Sequence, residues 1–151
     1  MGNKVMADDS AGLVALERFE KENTVDDAVD FMDGGTLGLD LLCYLEQYDT
    51  VLIADCLMSD GKPGDVLVVE AEDVNAVFQR CLSPHQMGIK DLLAVLQLQG
   101  RMPARLKVVG VVGESIELDT ELTPDVAAAI GNVVEAMADV LRRWGHEVKK
   151  V

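Results

Sequence analysis

Basic residues, aromatics and histidine are scarce in this chain, and each shortage removes a class of function. Against 27 acidic residues stand only 13 basic ones, a net charge of −14 over 151 residues. A phosphate-binding face must be basic, so nucleic acid and anionic membrane are disfavoured as partners, and a cationic or metal-loaded partner suits the field better. Aromatics make up 4% while hydrophobic residues reach 49%, so the core must be aliphatic, built from Leu, Val, Ile, Ala and Met. No stretch is apolar for long enough to span a bilayer. The three cysteines, Cys43, Cys56 and Cys81, lack metal-ligand spacing, and their odd number without a signal peptide points to a reducing cytoplasm. Common catalytic signatures are missing as well: there is no Walker loop, no G-x-S-x-G elbow, no H-E-x-x-H and no paired C-x-x-C.

What is present is alternation of apolar runs with helical stripes. The organising stretch is Phe31 to Asp40, where a short run over Val29 to Met32 reads as a strand and Asp33-Gly34-Gly35-Thr36 leads into a helical pattern carrying Leu39, Leu42 and Leu45. Such strand-loop-helix corners place polar groups and free backbone N–H groups at the carboxyl ends of strands, where open α/β proteins bind ligands. Thr50 to Asp55 is a near-continuous apolar run ending in an acid, as parallel strands buried on both faces do. Asp33 and Asp55 are therefore expected on one edge of the sheet, with Cys56 turned the other way into packing.

The opening residues read as a loop entering a helix with Leu13, Leu16 and Phe19 on its apolar stripe; Asp8, Asp9 or Ser10 can cap it, an ordinary use of acids at a helix start. Turn chemistry over Ser59 to Gly64, followed by Asp65 to Glu70, predicts a hairpin and so one antiparallel strand. A short helix is expected within Asp73 to Arg80. His85, in the Pro-containing loop Cys81 to Gly88, precedes a helix bearing Ile89, Leu92, Leu93 and Leu96; a histidine in that place is more often a loop or capping residue than a ligand. Arg105 to Val112 predicts a strand. Thr123 as cap, Pro124 at the first helical position and Val126, Ile130, Val133, Met137, Leu141 and Trp144 at helical spacing predict the last helix, stopped by Gly145. The polar tail, His146 to Val151, is expected to fray, with His146 solvated. Together these elements predict one domain over residues 1–151, a three-layer α/β/α doubly wound sandwich with a mostly parallel sheet and one antiparallel strand.

The remaining chemistry is a set of acids at loop and strand ends, Asp9, Asp33 and Asp55, with the single loop histidine His85. Carboxylates converging in one cleft repel each other, and a divalent cation is the usual relief. Nucleophilic catalysis by Cys81 or Ser83 with His85 lacks a clear third member.

At this point the chain resembles the maturation endopeptidases of nickel-iron hydrogenases. Gly2-Asn3 with Ala7 to Gly12 is similar to the family's first loop, Asp33 to Gly38 to its most distinctive motif, Val51 to Asp55 to the next strand, Ser83 to Gln86 to its histidine loop, and Leu122-Thr123-Pro124 to the entry of its last helix. The resemblance implies a phosphorylase/hydrolase-like fold and an endopeptidase that clips the C-terminal peptide from a hydrogenase large-subunit precursor once nickel is in place. It implies Asp9, Asp55 and His85 as nickel contacts, and Asp33, Gly34, Gly35, Thr36 and Gly38 as a docking loop for the precursor. Nickel would be carried in by the substrate and used for recognition, and the protein would act as a monomer. Asp9 stands where many relatives have glutamate, a longer side chain. The family pattern also has a hydrophobic strand leading to the glycine that matches Gly2; in this numbering it is missing, and a start assigned too late in the gene is the expectation. Two rivals fit the same residues: a non-enzymatic docking module that senses nickel, and a nucleotide-binding domain, disfavoured by the acidic field and the missing G-x-G-x-x-G.

Overall fold

The structure, a computed structural model, describes residues 1–2, 4, 6–35, 38–57, 61–73, 76 and 89–151. The aliphatic runs form its centre. β4 (Arg105–Val112) is the middle strand of a three-stranded sheet, with β2 (Thr50–Leu57) parallel on one side and β3 (Val66–Glu70) antiparallel on the other. A strand flanked on both edges and covered on both faces can carry apolar residues at every position, and from Val108 onward every residue of β4 is buried.

Side-chain alternation sends the strands' residues into separate clusters. Ala54, Cys56, Val109 and Val111 pack against α1 (Ala11–Glu22) and α4 (Pro124–Arg143). Ile53, Leu57, Leu106 and Val108 pack against α3 (Ile89–Leu98), with Leu42 and Leu45 of the short α2 (Leu42–Leu45) at the margin. The protein is thus an α/β fold with a mixed sheet and apolar clusters on both of its faces. Ile89, Leu92, Leu93 and Leu96 are all buried, as is the α4 stripe from Val126 to Leu141. Phe19 is fully buried; Leu13 is buried and Leu16 partly so.

Several local expectations are corrected. β3 is antiparallel, but it pairs with β4 and not with β2, so the turn around Gly64 does not close a hairpin. Gly64 instead donates its amide to the Val112 carbonyl at 2.8 Å, and Val112 donates to Asp65 at 2.8 Å, which starts the pairing with the strand that comes later in the chain. Residues 29–32 form no strand: Phe31 and Met32 are exposed, and no β-ladder in the described residues includes them. The run has strand-forming residues but no neighbouring strand to supply main-chain partners.

The tail does not fray. β5 (Val148–Lys150) pairs antiparallel with β1 (Asn23–Val25), and the His146 Nδ1 lies 3.1 Å from Asp26 Oδ2, so His146 is held against a carboxylate. A 3₁₀ turn covers Ala71–Asp73 and residue 76 is helical; the rest of the helix expected within Asp73 to Arg80 lies outside the described residues, as do Ser59, Asp60, Cys81 and the side chain of Leu39. No helix among the described residues is long and apolar enough to cross a membrane.

Candidate active site

The site forms where the end of β2 meets the start of α1. Gly12 lies so close to the Ala54 and Met1 carbonyls that a Cβ would collide with both, so the first turn of α1 can press onto the strand only because this residue is glycine. Met1 completes the junction, its ammonium donating to the Ala54 carbonyl at 2.8 Å. Ahead of α1, Ala7–Ser10 form a 3₁₀ turn with Ser10 Oγ donating to the Ala7 carbonyl at 2.8 Å. That turn brings Asp9 within electrostatic reach of Asp55.

Asp55 is registered against Gly110 on β4, two residues before β2 ends at Leu57. Part of its surface stays accessible, yet burial pushes its carboxyl up to about 7; the Met1 ammonium and the Cys56 amide oppose the rise, and the negative charge of Asp9 adds to it. Cys56 points into the opposite cluster and is fully buried, as alternation requires.

Asp8, immediately before Asp9, has the opposite environment. It is fully buried, and its carboxylate accepts the amides of Glu114 at 2.8 Å, Ser115 at 3.0 Å and Thr123 at 2.8 Å, as well as the Thr123 hydroxyl. Burial alone would raise this carboxyl, but the donors from Ser115, Glu114 and Thr123 outweigh it and hold the group below its ordinary value. Neither Ser10 nor Thr123 caps its own helix through its side chain. The acid read from sequence as a helix cap is instead a clamp between the site turn, the loop after β4 and the start of α4. Main-chain bonds run beside it, from Ala7 N to the Asp119 carbonyl at 2.8 Å and from Asp8 N to the Ser115 carbonyl at 3.0 Å.

Residues 14–140 match the family model described as hydrogenase maturation protease. The chain is 36% identical over 148 residues to the hydrogenase 2 maturation protease of Escherichia coli strain K12, covering 97% of this chain and 90% of the relative. It is 32% identical to the hydrogenase expression/formation protein HupD of Rhodobacter capsulatus, over 99% of this chain and 72% of that protein. The fold superposes on the hydrogenase maturating endopeptidase HybD from E. coli with a TM-score of 0.88, at 36% identity and coverage of 99% and 93%. On the HybD maturation protease from Thermococcus kodakarensis the TM-score is 0.73, at 28% identity and coverage of 92% and 93%. The chain belongs to the hydrogenase maturation protease family.

Family membership decides for a peptidase with a role in hydrogenase maturation over both a non-enzymatic docking module and a nucleotide-binding domain. In this protease two of the expected site residues, Asp9 and Asp55, come together at the end of β2. His85 lies outside the described residues, and among the described residues no three His, Cys, Asp or Glu side chains form a group that could hold a metal ion. In the expected docking loop, Asp33 is exposed and its Oδ1 accepts the Gly35 amide at 2.8 Å, Gly34 is buried against Met1 and Leu41, and Gly38 opens a 3₁₀ turn over Gly38–Leu41. Thr36 lies outside the described residues. Gly2 joins this loop to the site: its amide donates to the Gly35 carbonyl at 3.0 Å while its Cα sits against the Asp9 carbonyl, where a Cβ would clash.

The sequence pattern did not single out Asp8 as the clamp or Met1 as a charge beside Asp55. Two adjacent acids look alike along a chain; only the amides that fold back from residues 114–123 distinguish them.

Proposed function

We propose that this protease removes the C-terminal peptide of a nickel-iron hydrogenase large-subunit precursor after nickel insertion, and that it recognises the nickel carried by that substrate through Asp9, Asp55 and His85. The observation that supports this most is Asp55, pushed up to about 7 chiefly by burial and further by the charge of Asp9; an arriving cation offsets both the burial of its charge and the repulsion between the two carboxylates. Oxygen and imidazole donors suit Ni(II), and three protein ligands leave positions for those that the substrate already supplies. Without thiolate in the set, the enzyme completes the coordination of a metal held by its substrate and does not compete for it.

On this reading the protease carries no resident metal. The Asp33 to Gly38 loop, tied to Asp9 through Gly2, docks the precursor beside the metal. Apolar clusters on both faces of the β2–β4–β3 sheet support the accompanying fold reading, a doubly wound three-layer sandwich forming one domain.

The test is mass spectrometry of the precursor's C-terminus after incubation with the protease, nickel-loaded against nickel-free. Release of the peptide from the loaded form alone is expected. Equal rates from both forms would remove nickel recognition.

A further inference from the structure

β3 ends the sheet on the side away from β2, and its outer edge is apolar. Val112 donates to the Asp65 carbonyl and accepts the Gly64 amide, both at 2.8 Å. An antiparallel ladder exchanges bonds at every second pair, so the next such pairs are Leu67 with Gly110 and Val69 with Val108. Val66 and Val68 therefore turn amide and carbonyl outward, and Glu70 its amide. Among the described residues β3 joins no ladder but that with β4, and Leu67 and Val68 are 38% and 48% exposed. Most edges are blunted by proline, charge or a bulge. Here a bulge at Gly64 and the charges of Asp65 and Glu70 sit at the ends, while Val66 to Val69 carries none of these.

We infer that this edge is a docking site for the polypeptide substrate, which pairs antiparallel to β3 as an extended apolar segment of about five residues led by a basic one. The five residues of β3, about 17 Å of chain, set the length. Leu67 and Val68, exposed on opposite faces, set the apolar character. Antiparallel pairing is the more stable per residue and repeats what β3 makes with β4. It puts the first residue of the segment at the Glu70 end. Glu70 is paired with Lys107 at 2.8 Å, but Glu72 and Asp73 just beyond it are exposed and enter no ion pair among the described residues, so a cation fits there. A second copy of this chain is the poorer occupant: each copy brings a net charge of −14, and two five-residue edges bury far less than the roughly 1,200 Å² of a stable interface. Recognition through main-chain hydrogen bonds at an exposed sheet edge is β-augmentation. Leu67 stands opposite Gly110 and Gly110 opposite Asp55, so the added strand runs about 15 Å from Asp55, a gap that about five extended residues span. That last relation rests on the proposed metal site; the pairing itself needs only a polypeptide substrate.

The probe is the synthetic pentapeptide Lys-Leu-Val-Leu-Val, acetylated and amidated at its ends and titrated into the full chain without nickel, with main-chain amides followed by NMR and hydrogen exchange. Saturable shifts and slowed exchange at Val66, Val68 and Glu70 are expected. N-methylation of the probe's central valine should weaken binding about tenfold, the equivalent of roughly one main-chain hydrogen bond. The paired changes Glu72→Gln and Asp73→Asn should weaken it more at low salt than at high salt. Val68→Pro removes an outward amide and nothing from the ladder to β4, a position at which edge strands accept proline, while Val68→Thr keeps that amide. In cleavage of the precursor the first variant should raise KM about tenfold with kcat kept, and the second should match the parent. The proposal is overturned if the probe leaves the three amides unprotected, if the N-methyl probe binds as well as the parent, or if Val68→Pro leaves KM unchanged. It is equally overturned if protection of those amides in the peptide-free chain rises with protein concentration alongside a dimer in sedimentation, since a second copy would then be the occupant. An unchanged KM leaves the nickel reading standing, and equal cleavage of nickel-loaded and nickel-free precursor leaves the probe result standing.

Discussion

Asp8, in the turn before α1, and Asp55, near the end of β2, are both carboxylates, and their surroundings push them in opposite directions. Asp8 is fully buried, and donors from Glu114, Ser115 and Thr123 keep it ionised. Asp55 has one amide, from Cys56, a neighbouring ammonium and the charge of Asp9, and burial raises it. A carboxylate surrounded by donors is finished; it holds structure. One left short of donors beside a second acid is ready to accept a proton or a cation. The difference separates the scaffold, at the turn before α1, from the chemistry near the end of β2.

Breaking the finished partner should have the largest effect. Asp8→Ala leaves the amides of Glu114, Ser115 and Thr123 without their acceptor in a buried place, and unfolding free energy should fall by about 3 kcal/mol or more. Urea denaturation measures it, and a loss below about 1 kcal/mol would show that water replaces the carboxylate at little cost. Asp55→Asn should do the reverse. At neutral pH stability should not fall by more than about 1 kcal/mol, because the substitution removes a charge from a site that disfavours it, while cleavage of the nickel-loaded precursor should slow about tenfold to a hundredfold. A stable variant with unchanged cleavage would take Asp55 out of the site.

The pH dependence sharpens the contrast because the two shifts have opposite signs. Asp8 has a folded pKa below its unfolded value, so its contribution to stability is fully present above about pH 4 and is lost as pH falls through the folded value. Asp55 has a folded pKa raised to about 7, so the folded state binds the extra proton; stability owed to that group is highest at pH 4 and declines as pH rises towards 7. Denaturation midpoints across pH 2 to 8 should therefore show an acid limb that Asp8→Ala flattens and a second limb, falling between about pH 4 and 7, that Asp55→Asn flattens. If one substitution flattened both limbs, the two carboxylates would be titrating as a pair.

Strong periodicity made some of this legible in the sequence. Arg105 to Val112 and the helix from Pro124 appear with the expected boundaries, since a run buried on both faces and a Thr-Pro start leave few alternatives. Pairing was less legible. Turn residues around Gly64 announce a reversal but not which strand receives β3, and the partner proved to be β4, some forty residues later. Val29 to Met32 has strand-forming residues, yet a strand also needs a neighbour, and that requirement is not written locally. β1 and β5 are short and polar, so neither shows a period, and the tail is ordered by its pairing and by Asp26. In the site, the resemblance pointed to Asp9 and Asp55 while residue chemistry alone left several acids equivalent.

The smallest test probes how much of the Asp8 clamp depends on one hydroxyl. Thr123 Oγ1 lies 3.0 Å and 2.8 Å from the two Asp8 oxygens, but its single hydrogen can serve only one of them at a time, and the Thr123 amide also donates to Asp8. Thr123→Val removes the hydroxyl and keeps the amide and the side-chain shape, so the loss should be about 1 kcal/mol, well short of Asp8→Ala. Thr123→Ser keeps the donor and should recover most of it. Because Asp9 is the next residue after Asp8, a second readout follows: if the clamp positions Asp9, cleavage by Thr123→Val should slow while Thr123→Ser stays near the parent. Equal cleavage by both variants, with stability lost only in the first, would confine Asp8 to holding the scaffold.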